Sequence, residues 1–413
     1  MPGSGDGPVL GRRTEARRGN RRDVVATFVV FATFGAVAGT WFARIPAVRG
    51  QLDASLRTLG FVMLCFAVGS LLAMPFTGRL VQRFSIRAVC VVASVGGSTM
   101  MVIIALISRP VPFAGVLFVA GVCYGTWNVT MNVHAAAVEA RLGRTLMPAF
   151  HGTLSAGIIL GSVSGAALAG AGLNLIQHFG IVVPPLVAAS VVAAGFWRDG
   201  DRPEPRPPTT AAHDEDGPVP RPSRVLTAPV LLVGLLAFCC ALAQGATSDW
   251  LAIHAHDDKG LTEALAAAVF SAYAVSEAVG RFTGGRVIDR VGRVRTLRFG
   301  GLLAAIGVAA TIILPGSGLF VGAALWGLGL SVVEPLTVTV AGEIGGEDAP
   351  RTVSAVATMG WAAFLVGAPV MGLLGQQFSL SNALWLIVAL ALVVSLLAGA
   401  TAPARPRPIT PPG

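Results

Sequence analysis

The chain has 413 residues, 54% of them hydrophobic and only 12% charged, with a mean hydropathy of +0.72. Soluble domains carry about 25% charged residues, so these values exclude a water-soluble globular protein and imply an integral membrane protein. The formal charge of +9 does not imply nucleic-acid binding, because the arginines sit in short segments between apolar runs and not along one stripe.

Residues 1–23 are polar and basic, with Arg12, Arg13, Arg17, Arg18, Arg21 and Arg22 directly before the first apolar run. They are expected to form a disordered tail held in the cytoplasm. Taking about twenty apolar residues per span, spanning helices are predicted at 24–43, 57–78, 87–108, 112–135, 148–170 and 180–197. A further set is predicted at 228–250, 264–284, 296–314, 318–341, 352–375 and 381–400. The sixth run contains Pro184-Pro185, where a kink or a late helix start is expected. Assigning the connections alternately to two sides places twenty-five of the thirty basic residues on one side and five on the other. That asymmetry puts the rich side, and both termini, in the cytoplasm.

The fold expected is therefore an all-α polytopic membrane protein with twelve transmembrane helices in two six-helix bundles, 24–197 and 228–400. Residues 198–227, rich in proline and mixed in charge, read as a flexible cytoplasmic linker that includes His213, and 401–413 as a cytoplasmic tail. The halves repeat weakly. Trp41 matches Trp250 at an offset of 209, Gly78–Arg83 matches Gly285–Arg290 at 207, and Leu117 matches Leu319 at 202. Six helices per half make the repeat parallel, with its pseudo-twofold axis along the membrane normal.

The stretch from Gly284 to Arg295 is the most basic connection in the chain. Asp289 among Arg286, Arg290, Arg293 and Arg295, with Gly292 allowing a sharp turn, predicts a folded hairpin with specific ion pairs, unless it is only a generic positive-inside loop. Twelve helices, a long central connection and this Gly-Arg-x-x-Asp-Arg-x-Gly-Arg run, with a degenerate copy at Gly78, Arg79 and Arg83, resemble the major facilitator superfamily. The Asp249-Trp250 pair, Met131-Asn132 and Val138-Glu139 resemble its fucose-permease-like branch. The resemblance implies secondary transport by alternating access, with Gly285, Arg286, Asp289, Arg290, Gly292 and Arg293 forming a cytoplasmic gate together with Gly78, Arg79 and Arg83. The first copy departs from the pattern, with Gln82 in place of the acid and Ser85 in place of the glycine, so its ion pairing is in doubt.

Ionisable residues within a span are costly, so each marks a functional hypothesis. Glu277 shares a helical face with Tyr273 and Arg281, and reads either as a proton-binding carboxylate or as the partner of Arg281. Glu334, just before Pro335, is a candidate for both proton coupling and solute binding. Asp249, beside Trp250 and near Gln244, reads either as a ligand for solute hydroxyls or as an interfacial aspartate. Trp127, Asn128 and Asn132 suit a ring-bearing polar solute, although asparagines also bind neighbouring helices. Glu139 falls near the asparagine face, and His134 and His151 are expected at similar depth, in packing or gating roles. Arg44 is expected to snorkel to headgroups. Gly157, Gly161 and Gly165, like Gly360, Gly367 and Gly372, read as sites of close helix contact.

All five cysteines lie in apolar runs, and no metal or cofactor motif is present in the sequence. An ATP-driven pump is excluded within this chain, because the only lysine, Lys259, is followed by Gly260 and Leu261 and cannot end a phosphate loop. No hydrolase or zinc-protease motif points to an enzyme. A sensor signalling through 198–227 is a third class, for which that segment is better suited as a tether. The function expected is a secondary transporter of a small, polar, sugar-like solute, coupled to protons and working as a monomer in the cytoplasmic membrane. The alternative is a proton-antiport efflux pump for amphipathic compounds, against which counts the absence from helix 5 of the Gly-Pro pair many such members carry.

Overall fold

The computed structural model describes residues 7–198 and 226–402. The linker expected at 198–227, with His213, lies almost wholly outside the described residues, as does the tail beyond 402. Among the described residues all regular structure is helical.

In chain order the helices are α1 (Gly7–Ala43), the short α2 (Ile45–Leu52), α3 (Leu56–Arg83), α4 (Ile86–Ile104), α5 (Pro110–Leu142), α6 (Met147–Gly170) and α7 (Leu175–Ala194). There follow α8 (Ala228–Ala246), which continues into a π-helical turn at Thr247–Leu251, then α9 (Glu263–Val291), α10 (Arg293–Ile313), α11 (Gly318–Leu330) and α12 (Val333–Gly345). The last are α13 (Ala349–Phe378), α14 (Leu380–Ala383) and α15 (Trp385–Leu397). Among the described residues eleven segments are long and apolar enough to cross a membrane, with α11–α12 and α14–α15 each counting as one. The 29-residue α9 has the length of a twelfth, but its middle carries Ser271, Tyr273, Ser276, Glu277 and Arg281.

Local chemistry explains the starts. Ser55 and Ser85 accept hydrogen bonds from Thr58 N and Ala88 N, each at 3.1 Å, and cap α3 and α4. Asn174 and Gln177 form a reciprocal capping box on α7, which then runs through Pro184 and Pro185. Two expectations need correction. The basic stretch expected as a disordered tail is helical from Gly7, because α1 continues backwards out of its apolar run. The Gly284–Arg295 stretch is not a hairpin loop: it is the last two turns of α9, a one-residue break at Gly292 (φ 86°) and the first turn of α10. An apolar run fixes where a helix must exist but not where it must stop, and arginine and valine both continue a helix readily.

The chain divides into two compact units, and among the described residues their boundaries fall in the π-helical turn after α8 and within α9, α13 and α14. The first comprises residues 1–219, 248–274 and 368–380; the second comprises 220–247, 275–367 and 381–413. Within the first, α1 and α6 approach backbone to backbone. A Cβ added at Gly157 or Gly161 would lie 2.1 Å from the carbonyl oxygens of Ala32 and Ala36, so only glycine fits. The same unit brings α3 against the end of α13, where a Cβ on Gly372 would meet the Leu56 carbonyl at 2.5 Å. In the second unit, Gly280 and Gly284 of α9 face Ser331 and Val332 at the break between α11 and α12.

Candidate functional site

Three polar clusters in the first unit and one in the second interrupt the apolar helices. In the first unit, α5 presents Asn128 and Asn132 one turn apart. The Asn132 amide donates to the Asn128 carbonyl oxygen (2.9 Å) and to its Oδ1 (3.0 Å), while Asn132 Oδ1 lies 3.2 Å from His151 Nε2 on α6. Both asparagines are half-buried and His151 is exposed, so the array reaches the surface of the unit. Trp127 does not share that surface. It is fully buried, with Phe34 and Tyr124 at ring-centroid distances of 5.2 and 5.6 Å, and offers no open face to a solute in this conformation. Glu139 serves local structure, since its Oε2 accepts from Leu146 N (2.6 Å) and Met147 N (2.8 Å) at the start of α6.

The second cluster is absent from the sequence expectations. Asp23 of α1 is fully buried, its Oδ1 2.8 Å from His134 Nε2 and its Oδ2 bonded to the Arg141 guanidinium. His134 is itself fully buried and stacks on Trp197 with centroids 4.0 Å apart and planes 9° from parallel. His134 and His151 therefore belong to different environments. A buried carboxylate held by a cation and an imidazole is a satisfied charge, which explains why an acid survives here. The only sequence signal was an acid at the junction between six arginines and an apolar run.

The third cluster lies at the opposite, arginine-poor ends of the helices. Arg44 is only 2% exposed, donates from Nη2 to the Leu173 carbonyl (2.9 Å) and places Nη1 3.5 Å from Glu263. Burial draws the Arg44 guanidinium below its ordinary value and the Glu263 charge opposes that shift. The snorkelling expected of Arg44 is not seen: the guanidinium is buried, held by the Leu173 carbonyl and the Glu263 carboxylate in place of a headgroup. Arg49 pairs with Asp257, and Ser271 Oγ donates to Ser162 Oγ at 3.0 Å. A pocket of about 590 Å³ opens beside Arg44, with Gln51, Asn174 and Glu263 among its walls. Asp249 and Trp250 sit in the π-helical turn of the same unit. Trp250 is fully buried, whereas Asp249 is half-buried with no hydrogen bond among the described residues.

In the second unit the candidate acids converge. Gln244 donates to Glu277 Oε1 (2.9 Å), and Arg281 Nη2 reaches that same oxygen (3.1 Å) and Glu334 Oε2 (3.5 Å). Glu277 is 17% exposed and Glu334 62%. Glu334 lies in the first turn of α12, where Pro335 has no amide to lose, just after the helix break. The small glycine face of α9 against that break sets Arg281 beside Glu334.

Among the described residues the basic motif makes one ion pair, Arg293 Nη1 to Glu343 Oε2 at 2.7 Å. The expected pairing of Asp289 is not seen: it is exposed and has no ion pair among the described residues, because on a continuous helix it projects away from the break that turns Arg293 towards α12. Gly285, Arg286 and Arg290 are exposed alongside it. In the degenerate copy Gly78 is exposed, Arg79 lies over the Phe76 ring (5.9 Å) and Arg83 over Phe84 (5.7 Å), with no acid engaged. The described residues hold no cluster of ligands for a metal ion.

Known proteins place this architecture. The Major Facilitator Superfamily profile matches residues 26–317 and 251–413. An MFS-type transporter of Yersinia pestis is 30% identical over 381 residues, covering 91% of this chain and 95% of that protein. The membrane protein MosC of Rhizobium meliloti is 24% identical, covering 91% and 89%. Among solved structures, the nucleoside transporter NupG overlays with a TM-score of 0.65 at 13% identity, covering 93% of this chain and 98% of that one. The outward conformation of FucP overlays with a TM-score of 0.61 at 16% identity, covering 92% and 99%. The structural likenesses establish the fold; with the profile and the Yersinia relative, they establish that the chain belongs to the Major Facilitator Superfamily and is a multi-pass membrane transporter.

Proposed function

We propose that this transporter carries a small polar organic solute by alternating access, coupled to protons, as a monomer in the cytoplasmic membrane with both termini inside. The observation that carries the reading is the single guanidinium of Arg281 shared by Glu277 and Glu334, with Gln244 on the same carboxylate oxygen as Arg281. Two acids competing for one cation in a span can exchange one negative charge for a proton at low cost, because the cation remains paired with the other acid. Solute recognition is assigned to the half-buried amides Asn128 and Asn132 with His151, and to Asp249, whose carboxylate oxygens have no partner to give up. Amides offer donors and acceptors together, which suits hydroxyl-bearing rings better than amphipathic drugs. Trp127 and Trp250 shape that surface from behind, as buried supports. The Arg293–Glu343 pair, with the exposed residues of both basic motifs, is assigned to the cytoplasmic gate.

The test begins with a thermal-shift screen of purified protein against sugars, sugar acids and nucleosides, the last included because NupG, of the same fold, transports nucleosides. With the ligand so found, uptake into proteoliposomes is driven by a pH gradient. Glu277→Gln and Glu334→Gln are expected to abolish accumulation while leaving counterflow exchange. Accumulation at the wild-type level in both variants would rule out the carboxylates as the coupling site.

A further inference from the structure

A groove of about 840 Å³ lies on the first unit between α1 and α7, and its walls share no residue with the pocket beside Arg44. One wall is Arg22, Val25, Ala26 and Val29, which recur at helical spacing on α1; the other is Ala189, Val192 and Ala193 on α7 with Phe196 in the turn after it. Val25, Val192 and Phe196 are 54%, 63% and 52% exposed, so the walls are apolar and uncovered. The alanines form a shallow floor. At one end stand Arg21 and Arg22, both exposed and neither with an ion pair among the described residues. Their neighbour Asp23 cannot neutralise them, because it points inward to Arg141 and His134.

We propose that this groove is a binding site for one anionic glycerophospholipid. Its phosphate sits between Arg21 and Arg22, and an acyl chain follows the Val25, Val29, Ala189 and Val192 walls for about 10 Å, the length of α1 from Arg22 to Val29 at 1.5 Å per residue. Charge and polarity select this occupant. A free phosphate would use the arginines but gain nothing from the apolar walls. A zwitterionic lipid would fill the walls but bring its own cation to two guanidinia that have no ion pair among the described residues. A second copy of the chain, packed by twofold symmetry on this face, would set arginine against arginine.

Full-length protein in nanodiscs of phosphatidylcholine, with and without phosphatidylglycerol, tests the site. Phosphatidylglycerol is expected to raise the wild-type unfolding midpoint. Arg21→Gln/Arg22→Gln should lose at least half of that shift, and so should Val192→Trp, which fills the groove without touching charge. Arg295→Gln/Arg298→Gln, two exposed arginines that do not line the groove, should keep it, and millimolar inorganic phosphate should not reproduce it. An equal loss in the Arg295/Arg298 variant, a full shift in Val192→Trp, or a match by phosphate would overturn the assignment. Native mass spectrometry of the wild type reads the same question without any variant: one phosphatidylglycerol retained in preference to phosphatidylcholine supports the site, and no preference overturns it.

Discussion

At the scale of single residues, the decisive placements are those in which a charge is buried with its partner. Asp23 is such a case, held by Arg141 and His134 at zero exposure. Removing its charge takes the buried carboxylate away from both Arg141 and His134, so Asp23→Asn is expected to lower stability by about 3 kcal/mol in detergent unfolding. The double variant Asp23→Leu/Arg141→Met should recover part of the loss, since breaking such a pair costs more than replacing it. A midpoint unchanged in Asp23→Asn would show the pair to be energetically idle. Sequence reasoning reached Glu277 and Arg281, because four residues on a helix is a readable distance, and it singled out Glu334 from the proline beside it. It did not reach Asp23, whose partner histidine is 111 positions away. Nor did it separate His134 from His151, because facing directions at equal depth depend on which helices are neighbours.

At the scale of elements, the apolar runs located the spanning helices to within a few residues at most of their membrane ends. The errors cluster where a polar sequence continues a helix: α3, α5 and α9 all run past the hydrophobic limit. The basic motif is consequently a helix end with one glycine break, and its ion pair uses Arg293 and Glu343, fifty residues apart. Half-exposed pairs of this kind contribute up to about 1 kcal/mol, so Glu343→Gln is expected to cost about that much in denaturant unfolding. Asp289→Asn should stay within about 0.5 kcal/mol of the wild type, as exposed substitutions do. The reverse ranking would restore Asp289 as the pairing residue of the motif.

At the scale of the whole molecule, the apolar runs made twelve helices legible and the basic motif with its degenerate copy made the superfamily legible; the profile and the Yersinia relative bear out the family, and the solved structures the fold. What the repeat does not encode is that 248–274 and 368–380 join the first unit. In that grouping α13 meets α3 at Gly372, beside the Leu56 carbonyl, while Arg44 with Glu263 and Arg49 with Asp257 tie 248–274 at the arginine-poor ends. If these pairs hold that end shut, weakening them must loosen it. Glu263→Gln is expected to raise several-fold the labelling rate of a cysteine placed at Ala169, in the wall of the adjacent pocket, by a membrane-impermeant maleimide. Arg44→Glu/Glu263→Arg should return the rate towards that of the parent, and no change in any of these variants would show that the pairs do not govern access.

The stacking of His134 on Trp197 has an optical corollary. An indole in face contact with an imidazole loses emission by contact quenching, so Trp197 should be dim among the seven tryptophans of the chain while the stack is intact. Any step of a transport cycle that slides α5 against the end of α7 would brighten it. The difference in fluorescence between the wild type and Trp197→Phe thus gives a label-free clock for that motion, readable before any solute is known.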